Sequence, residues 1–185
     1  RRLQTTCPRP HASRRSIVIS NCPAGALATA PRELRMLIVC KRSLARAQDE
    51  AELLAEICRT LIGPGGYRLA WVGFAEREPD CAVRVAAHAG RDSGYLERLH
   101  VSWRDDERGH GPTGRAIRER RVQVCRYIDT DPDFAPWREQ AHREGHRSSI
   151  ALPLLLEDEC IGALSLYAGR PDAFDEAELA LLVEL

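Results

Sequence analysis

Nothing in this sequence writes a charge field, a membrane span or a metal centre. Lysine plus arginine and aspartate plus glutamate balance at 27 each, so no whole-chain potential draws in polyanions or membrane surfaces. No basic stripe is interleaved with aromatics, and together these features exclude a nucleic-acid partner. No apolar run approaches the length needed to span a bilayer. Seven cysteines stand at 7, 22, 40, 58, 81, 125 and 160. No two have CxxC spacing, so neither a zinc site nor a dithiol motif is written locally. Their odd number, the lack of a signal peptide and their apolar settings predict free thiols in a reducing cytoplasm. The GxSxG elbow of serine hydrolases, the GxGxxG fingerprint and the Walker pattern are also missing.

What is present suits a globular domain with a real core. The chain has 185 residues, 44% hydrophobic and 29% charged, enough for one domain plus extra segments. It starts at Arg1 without methionine, and a piece of a longer protein is expected. Residues 1–31 are rich in Pro, Ser, Thr and Arg without sustained periodicity and read as a linker or disordered segment, with "SIVIS" as a short strand at most. From Pro31 a helix is expected, with Leu34, Leu37, Ile38 and Leu44 on one side. Asp49 and Glu52 form a capping box opening a second helix, which "GPGG" at 63–66 ends.

Strands are expected at 67–77, 81–90, 99–103 and 122–127. A hairpin follows, with "SSIALPLLLE" and "CIGALSLYAG" as its arms. Short helices are expected at 113–120 and 135–145. Asp175 and Glu178 make another capping box for a last helix. Helices grouped around about six antiparallel strands make this an α+β fold.

Two features could carry binding chemistry. Arg108–Gly114, "RGHGPTG", packs three glycines and a proline just ahead of a helix start near Pro112. The first turn of a helix presents unpaired N–H groups that can hold an anion. Arg108, His110, Gly111, Thr113 and Gly114 are therefore candidates for contacting a small polar or anionic ligand. The alternative is that the glycines only shape a tight loop and Arg108 is solvated. In 81–90, alternation puts Val83, Val85 and Ala87 on one face and Arg84, Ala86 and His88 on the other. His88 is either a pocket-wall residue or an ordinary surface histidine, and nothing singles out a partner that would make it a haem ligand.

The fragments "GYRLAWVGFAE", "GHGPTGRAIRERRVQVC", "DPDFAPWREQAHREGHRSSIALPL" and "IGALSLYAG", in that order and spacing, resemble a GAF domain over roughly residues 34–185. The resemblance is to GAF domains of bacterial multidomain sensor proteins. It implies a central antiparallel sheet, with terminal helices on one face and a pocket on the other, covered by loops and short helices. Phe134, Trp137 and Arg138 then fall on the cover, where aromatics either stack on a planar ligand or simply pack. Ser148 and Ser149 open the fifth strand, to donate into the pocket or to cap their own backbone.

The function implied is a regulatory small-molecule-sensing module. It would relay ligand state to a covalently linked histidine kinase or diguanylate cyclase type output domain, as a homodimer packed through its terminal helices. No ligand or cofactor can be named from these residues, and the domain itself is expected not to be an enzyme. Two alternatives stay open: a free methionine sulfoxide reductase-like GAF enzyme, or a ligand-free dimerisation domain. The enzyme needs a low-pKa thiolate with a resolving thiol nearby. Cys81, Cys125 and Cys160 are the candidates, while the loop "TDPDFAPWREQAHREGHRSS", where that subfamily carries cysteine, has none. Bilin attachment also lacks its cysteine context.

Overall fold

The computed structural model describes residues 31–77 and 79–184. All belong to one compact unit, Pro31–Leu185; the linker segment and its "SIVIS" strand lie, through residue 30, outside the described residues.

Helix α1 spans Arg32–Arg46 and α2 spans Glu50–Ile62. The first half of the capping box forms, the Asp49 carboxylate accepting the Glu52 N–H at 2.8 Å, while the Glu52 carboxylate reaches past the cap and accepts the Gln48 N–H at 2.9 Å. The face α1 buries carries Met36, Cys40 and Ser43. The stripe expected from Leu34 to Leu44 is displaced from it, leaving Leu34 47% and Leu44 59% exposed. Leu34, two residues before Met36, is turned to the far side of the helix, while Leu44, four residues after Cys40, stays on the same flank near the helix end.

Five strands, among the described residues, form one antiparallel sheet in the order β2-β1-β5-β4-β3. They are β1 Leu69–Ala75, β2 Val83–Gly90, β3 Gln123–Cys125, β4 Ser148–Leu156 and β5 Glu159–Ala168. The sixth strand expected at 99–103 shrinks to a single bridge, Ser102 opposite Ala82. It is flanked by Val83 N–H to the Val101 carbonyl at 3.0 Å and Trp103 N–H to the Cys81 carbonyl at 2.9 Å. Tight turns truncate it on both sides. His100 N–H bonds back to the Arg98 carbonyl, and the Ser102 hydroxyl accepts the Arg104 N–H at 2.9 Å.

Between β1 and β2 the register slips at Val72/Gly73, where Val72 faces Ala87 and Gly73 faces Val85. This bulge inserts Ala86 and reverses the alternation along β2. Val83 and Val85 therefore pack on one side of the sheet and Ala86, Ala87 and Ala89 on the other, which corrects the uniform alternation expected from sequence.

The remaining helices are α3 Pro112–Glu119, α4 Arg138–Glu144 and α5 Glu176–Val183, with a 3₁₀ turn Pro132–Trp137 leading into α4. Two cores result. One face of the sheet packs on Met36, Cys58, Leu61 and Leu182 from α1, α2 and α5. The other packs under α3, α4 and the loops before them, around Trp71, Tyr95, Phe134, Trp137 and Tyr167.

Candidate functional site

The sheet face under α3 and α4 is read from the strand register, because directly opposite residues share a face. One row runs His88, Trp71, Ser165, Ala151, Gln123; the next runs Leu69, Tyr167, Ser149, Cys125. His88 thus lies on the cover side, separated by the bulge from Ala86, with which it was expected to share a face, and it stands at the edge strand. Its ring is half-exposed, with Nε2 at 3.8 Å from Asp92, and it stays outside the core that Trp71 occupies.

The glycine loop is built for close approach. A Cβ on Gly111 would come within 2.5 Å of the Trp137 ring, and one on Gly114 within 2.4 Å of the Ser102 carbonyl. Gly111 caps α3 and Pro112 fills its first turn, where a missing N–H costs nothing. The Thr113 hydroxyl meets the Ser165 hydroxyl at 2.9 Å and pins this turn to β5.

Arg108 and His110 do not join them. Both are exposed. The Arg108 N–H donates to Asp106, and the His110 ring lies 3.0 Å from Asp105. The loop is organised instead by Arg118, which the sequence reading passed over. Its Nη1 donates to the carbonyls of Trp103, Arg104 and Gly109 at 3.3, 2.8 and 3.0 Å. An arginine in the last turn of the short helix that follows a glycine loop is the signal that could have found it.

Phe134 and Trp137 close the cover. They meet edge to face, Phe134 also meets Tyr167, and the Trp137 indole donates to the His100 carbonyl at 3.3 Å. Arg138 points elsewhere, tying the cover to the preceding loop through the Ile128 and Asp131 carbonyls at 3.1 and 2.7 Å. Ser148 and Ser149 separate as strand alternation dictates. The Ser148 hydroxyl faces away from the cover and donates to the Arg170 carbonyl at 2.8 Å. The Ser149 hydroxyl is buried beside the Cys125 thiol but has no partner in hydrogen-bond geometry among the described residues.

At the centre stands His146, which the sequence reading left in a loop. It is 0% exposed, and neither ring nitrogen has a hydrogen-bond partner among the described residues. Its ring lies 4.7 Å from that of Tyr167 and 5.5 Å from that of Tyr95, whose hydroxyls are 3.4 Å apart. Burial, and then the guanidiniums of Arg68 and Arg91, push the imidazole down to about 4, so it is neutral at pH 7. Its placement has a local cause. Gly145 ends α4 in the left-handed conformation, the Gly145 N–H bonds to the His142 carbonyl, and the His146 N–H reaches back to Ala141 at 2.9 Å. This is the Schellman closure, which turns the residue after the glycine inward against the last helical turn.

The Trp71 indole N–H points at the Tyr167 hydroxyl without completing a hydrogen bond. Burial pushes that hydroxyl up to about 12. Between Thr113, Phe134, Trp137 and Tyr167 remains a void of about 10 Å³, room for roughly one water. The Cys125 thiol is buried, and that burial, with Asp131 beside it, raises its pKa well above the ordinary thiol range. The five cysteines among the described residues are free, and Cys81 precedes the edge strand β2 whereas Cys125 ends β3 at the opposite edge. Among the described residues no group of three or more His, Cys, Asp or Glu is placed to hold a metal ion. No helix there is long and apolar enough to cross a membrane.

A sheet with terminal helices on one face and a loop-and-helix cover on the other defines the class, and sequence comparison agrees. The GAF domain family model matches residues 47–185, and the chain belongs to that family. Its fold is similar to free methionine-R-sulfoxide reductase from Neisseria meningitidis, solved with its substrate, at TM-score 0.66 and 21% identity over 84% of this chain and 86% of that one. It is also similar to the GAF domain of the Acinetobacter phosphoenolpyruvate-protein phosphotransferase (TM-score 0.65, 12% identity, 84% and 88% covered). The A. aeolicus nlh2 GAF domain in an inactive state is a third (0.61, 19%, 83% and 87%). At these identities the likeness establishes the fold. Compared by sequence with curated proteins, the chain has no significant match.

Proposed function

We propose that this GAF domain is a regulatory module that binds a small polar molecule between the sheet and the cover, and is not itself an enzyme. The observation that carries the reading is His146. A buried polar group without a partner costs about 1–3 kcal/mol, and such groups persist where a ligand or water completes them. The neutral imidazole offers one donor and one acceptor, and the Ser149 hydroxyl and Trp71 N–H stand on the same face. These groups suit an uncharged ligand with both donors and acceptors. Arg108 and His110, on which an anionic ligand would have depended, face solvent. Phe134, Trp137 and Thr113 form the cover, and entry requires Trp137 to leave Gly111. The raised thiol of Cys125 speaks against reductase chemistry, which needs a thiolate.

The state of the pocket would be relayed through α1 and α5 to a linked output domain of histidine kinase or diguanylate cyclase type. The setting would be a cytoplasmic homodimer, with the ligand favouring one helix packing over the other. A second reading, a ligand-free dimerisation domain, is favoured by the small void under the cover. The test is a library of small polar molecules titrated into protein carrying ¹⁵N-labelled histidine. A saturable shift of the His146 ring nitrogens is expected with at least one member. Their indifference to every member would leave the ligand-free reading standing.

A further inference from the structure

Beyond α3 the cover stops, and the same sheet face opens into a cleft of about 670 Å³. That is within the range of small-molecule sites, roughly 300–1,000 Å³, and far larger than the void under the cover. Its floor is Ala75 of β1 with Cys160 and Ile161 of β5, and its walls are Trp103 and, from α3, Ile117 and Arg118. The Trp103 indole is fixed by its N–H bond to the Glu76 carbonyl at 2.8 Å. Planar apolar bodies pack well against such a ring.

The charge around this apolar floor is lopsided. Among the described residues, Arg77, Arg118 and Arg120 line the cleft against one carboxylate, Glu159. Arg118 is held in place by the three loop carbonyls through one nitrogen, with its nearest carboxylate, Asp105, at 3.8 Å from the other. Arg120 donates one nitrogen to the Asp158 carbonyl at 2.9 Å. Arg77 pairs with Glu159, but the two side chains are 76% and 56% exposed. A pair so wet contributes little and exchanges readily for another anion.

We infer that this cleft is a second ligand site, separate from the space under the cover, and that it takes a small planar aromatic carboxylate. The ring lies on the Ala75 and Ile161 floor beside Trp103, and the carboxylate meets the guanidiniums of Arg77, Arg118 and Arg120. An ammonium ligand is disfavoured by the same three charges. An uncharged ring keeps the stacking and loses the charge-assisted bonds, which are about twice as strong as neutral ones.

The cleft carries its own reporters. Cys81 and Cys160 line it and are partly exposed, whereas Cys40, Cys58 and Cys125 are buried. The experiment is iodoacetamide alkylation of the native protein, read peptide by peptide by mass spectrometry, with indole-3-acetate or indole-3-acetamide added. Indole-3-acetate should slow alkylation of Cys81 and Cys160 saturably, and the amide should need about tenfold more or worse. Arg77→Gln with Arg120→Gln, both at exposed positions, should weaken protection by the acid about tenfold and leave the amide unchanged. Equal protection by acid and amide, or none by either at millimolar concentration, overturns the inference. So does protection unaffected by the double variant. A probe that shifts the His146 ring nitrogens without shielding either thiol has bound under the cover; that outcome defeats this second site and leaves the first intact.

Discussion

Arg32, the first residue of α1, grips Glu178 in the first turn of α5 with two hydrogen bonds, Nη1 to Oε2 at 2.9 Å and Nη2 to Oε1 at 2.6 Å. The Tyr67 hydroxyl, just ahead of β1, donates to the same carboxylate, and the Arg32 guanidinium lies 5.1 Å over the Tyr67 ring. One half-buried cluster thus joins both terminal helices to the sheet. If a signal leaves through α1 and α5, it passes this clamp.

Glu178→Gln should therefore destabilise the domain. Two charge-assisted bonds are weakened and Arg32 loses its counter-charge, but Arg32 is a third exposed, so the cost should be about 1–2 kcal/mol. Burial alone would raise the Glu178 pKa, but the bonds from Arg32 and Tyr67 outweigh it and lower the carboxyl below its usual range. A lowered pKa means stability present above the unfolded value, about 4.3, and lost as pH falls through the folded one. Thermal melts should show wild type and variant apart at pH 7 and converging in the acid range. A gap that persists unchanged at the lowest pH would refute the clamp.

His146 sets a second, higher pH window. Its folded pKa, about 4, lies below the unfolded value of about 6.5. The unfolded chain binds the proton first, so stability should decline as pH falls from about 6.5 towards 4, by up to about 3 kcal/mol. His146→Phe, seated between Tyr95 and Tyr167, should flatten urea-unfolding free energies across that window. An unaltered slope would show that His146 titrates normally.

Gly111→Ala tests the cover. The added methyl would stand 2.5 Å from the Trp137 ring, and overpacking of this kind costs about 1–3 kcal/mol. Trp137 should be driven from its seat, with its fluorescence shifting to the red. An unchanged spectrum and melting point would mean that the ring does not rest on Gly111.

Methionine sulfoxide should not be consumed with dithiothreitol as reductant, because Cys125 is held as a thiol. Turnover that disappears in Cys125→Ser would overturn the sensing reading.

The helix face should self-associate. Leu44 of α1 and Val183 of α5 are 59% and 64% exposed and line one apolar groove with Leu54, Leu154 and Leu155, and a contiguous apolar patch marks an interaction surface. Sedimentation at tens of micromolar should show a dimer that Leu44→Glu weakens. A wild-type monomer throughout that range would remove the homodimer from the proposal.

What the sequence determined by itself was whatever closes within a few residues. Asp49 with Glu52 and Asp175 with Glu178 start helices wherever they stand, because a carboxylate three residues back reaches the orphan N–H. Gly111–Pro112 and Gly145 punctuate helices through backbone geometry alone. The antiparallel hairpin and the order of elements followed from such signals, and with them the α+β class, while the GAF fold was implied by the resemblance of four fragments to that family. The tertiary structure decided the rest, because the deciding partner is remote. The bulge at Val72/Gly73 sets which face each β2 residue takes, and only the pairing of β1 with β2 reveals it. Arg118 finds its carbonyls up to 15 residues away, and Arg32 finds Glu178 across 146. His146 is a candidate site residue because Tyr95 and Tyr167 close over it and leave its nitrogens unpaired among the described residues, a relation written in packing and in no local pattern of residues.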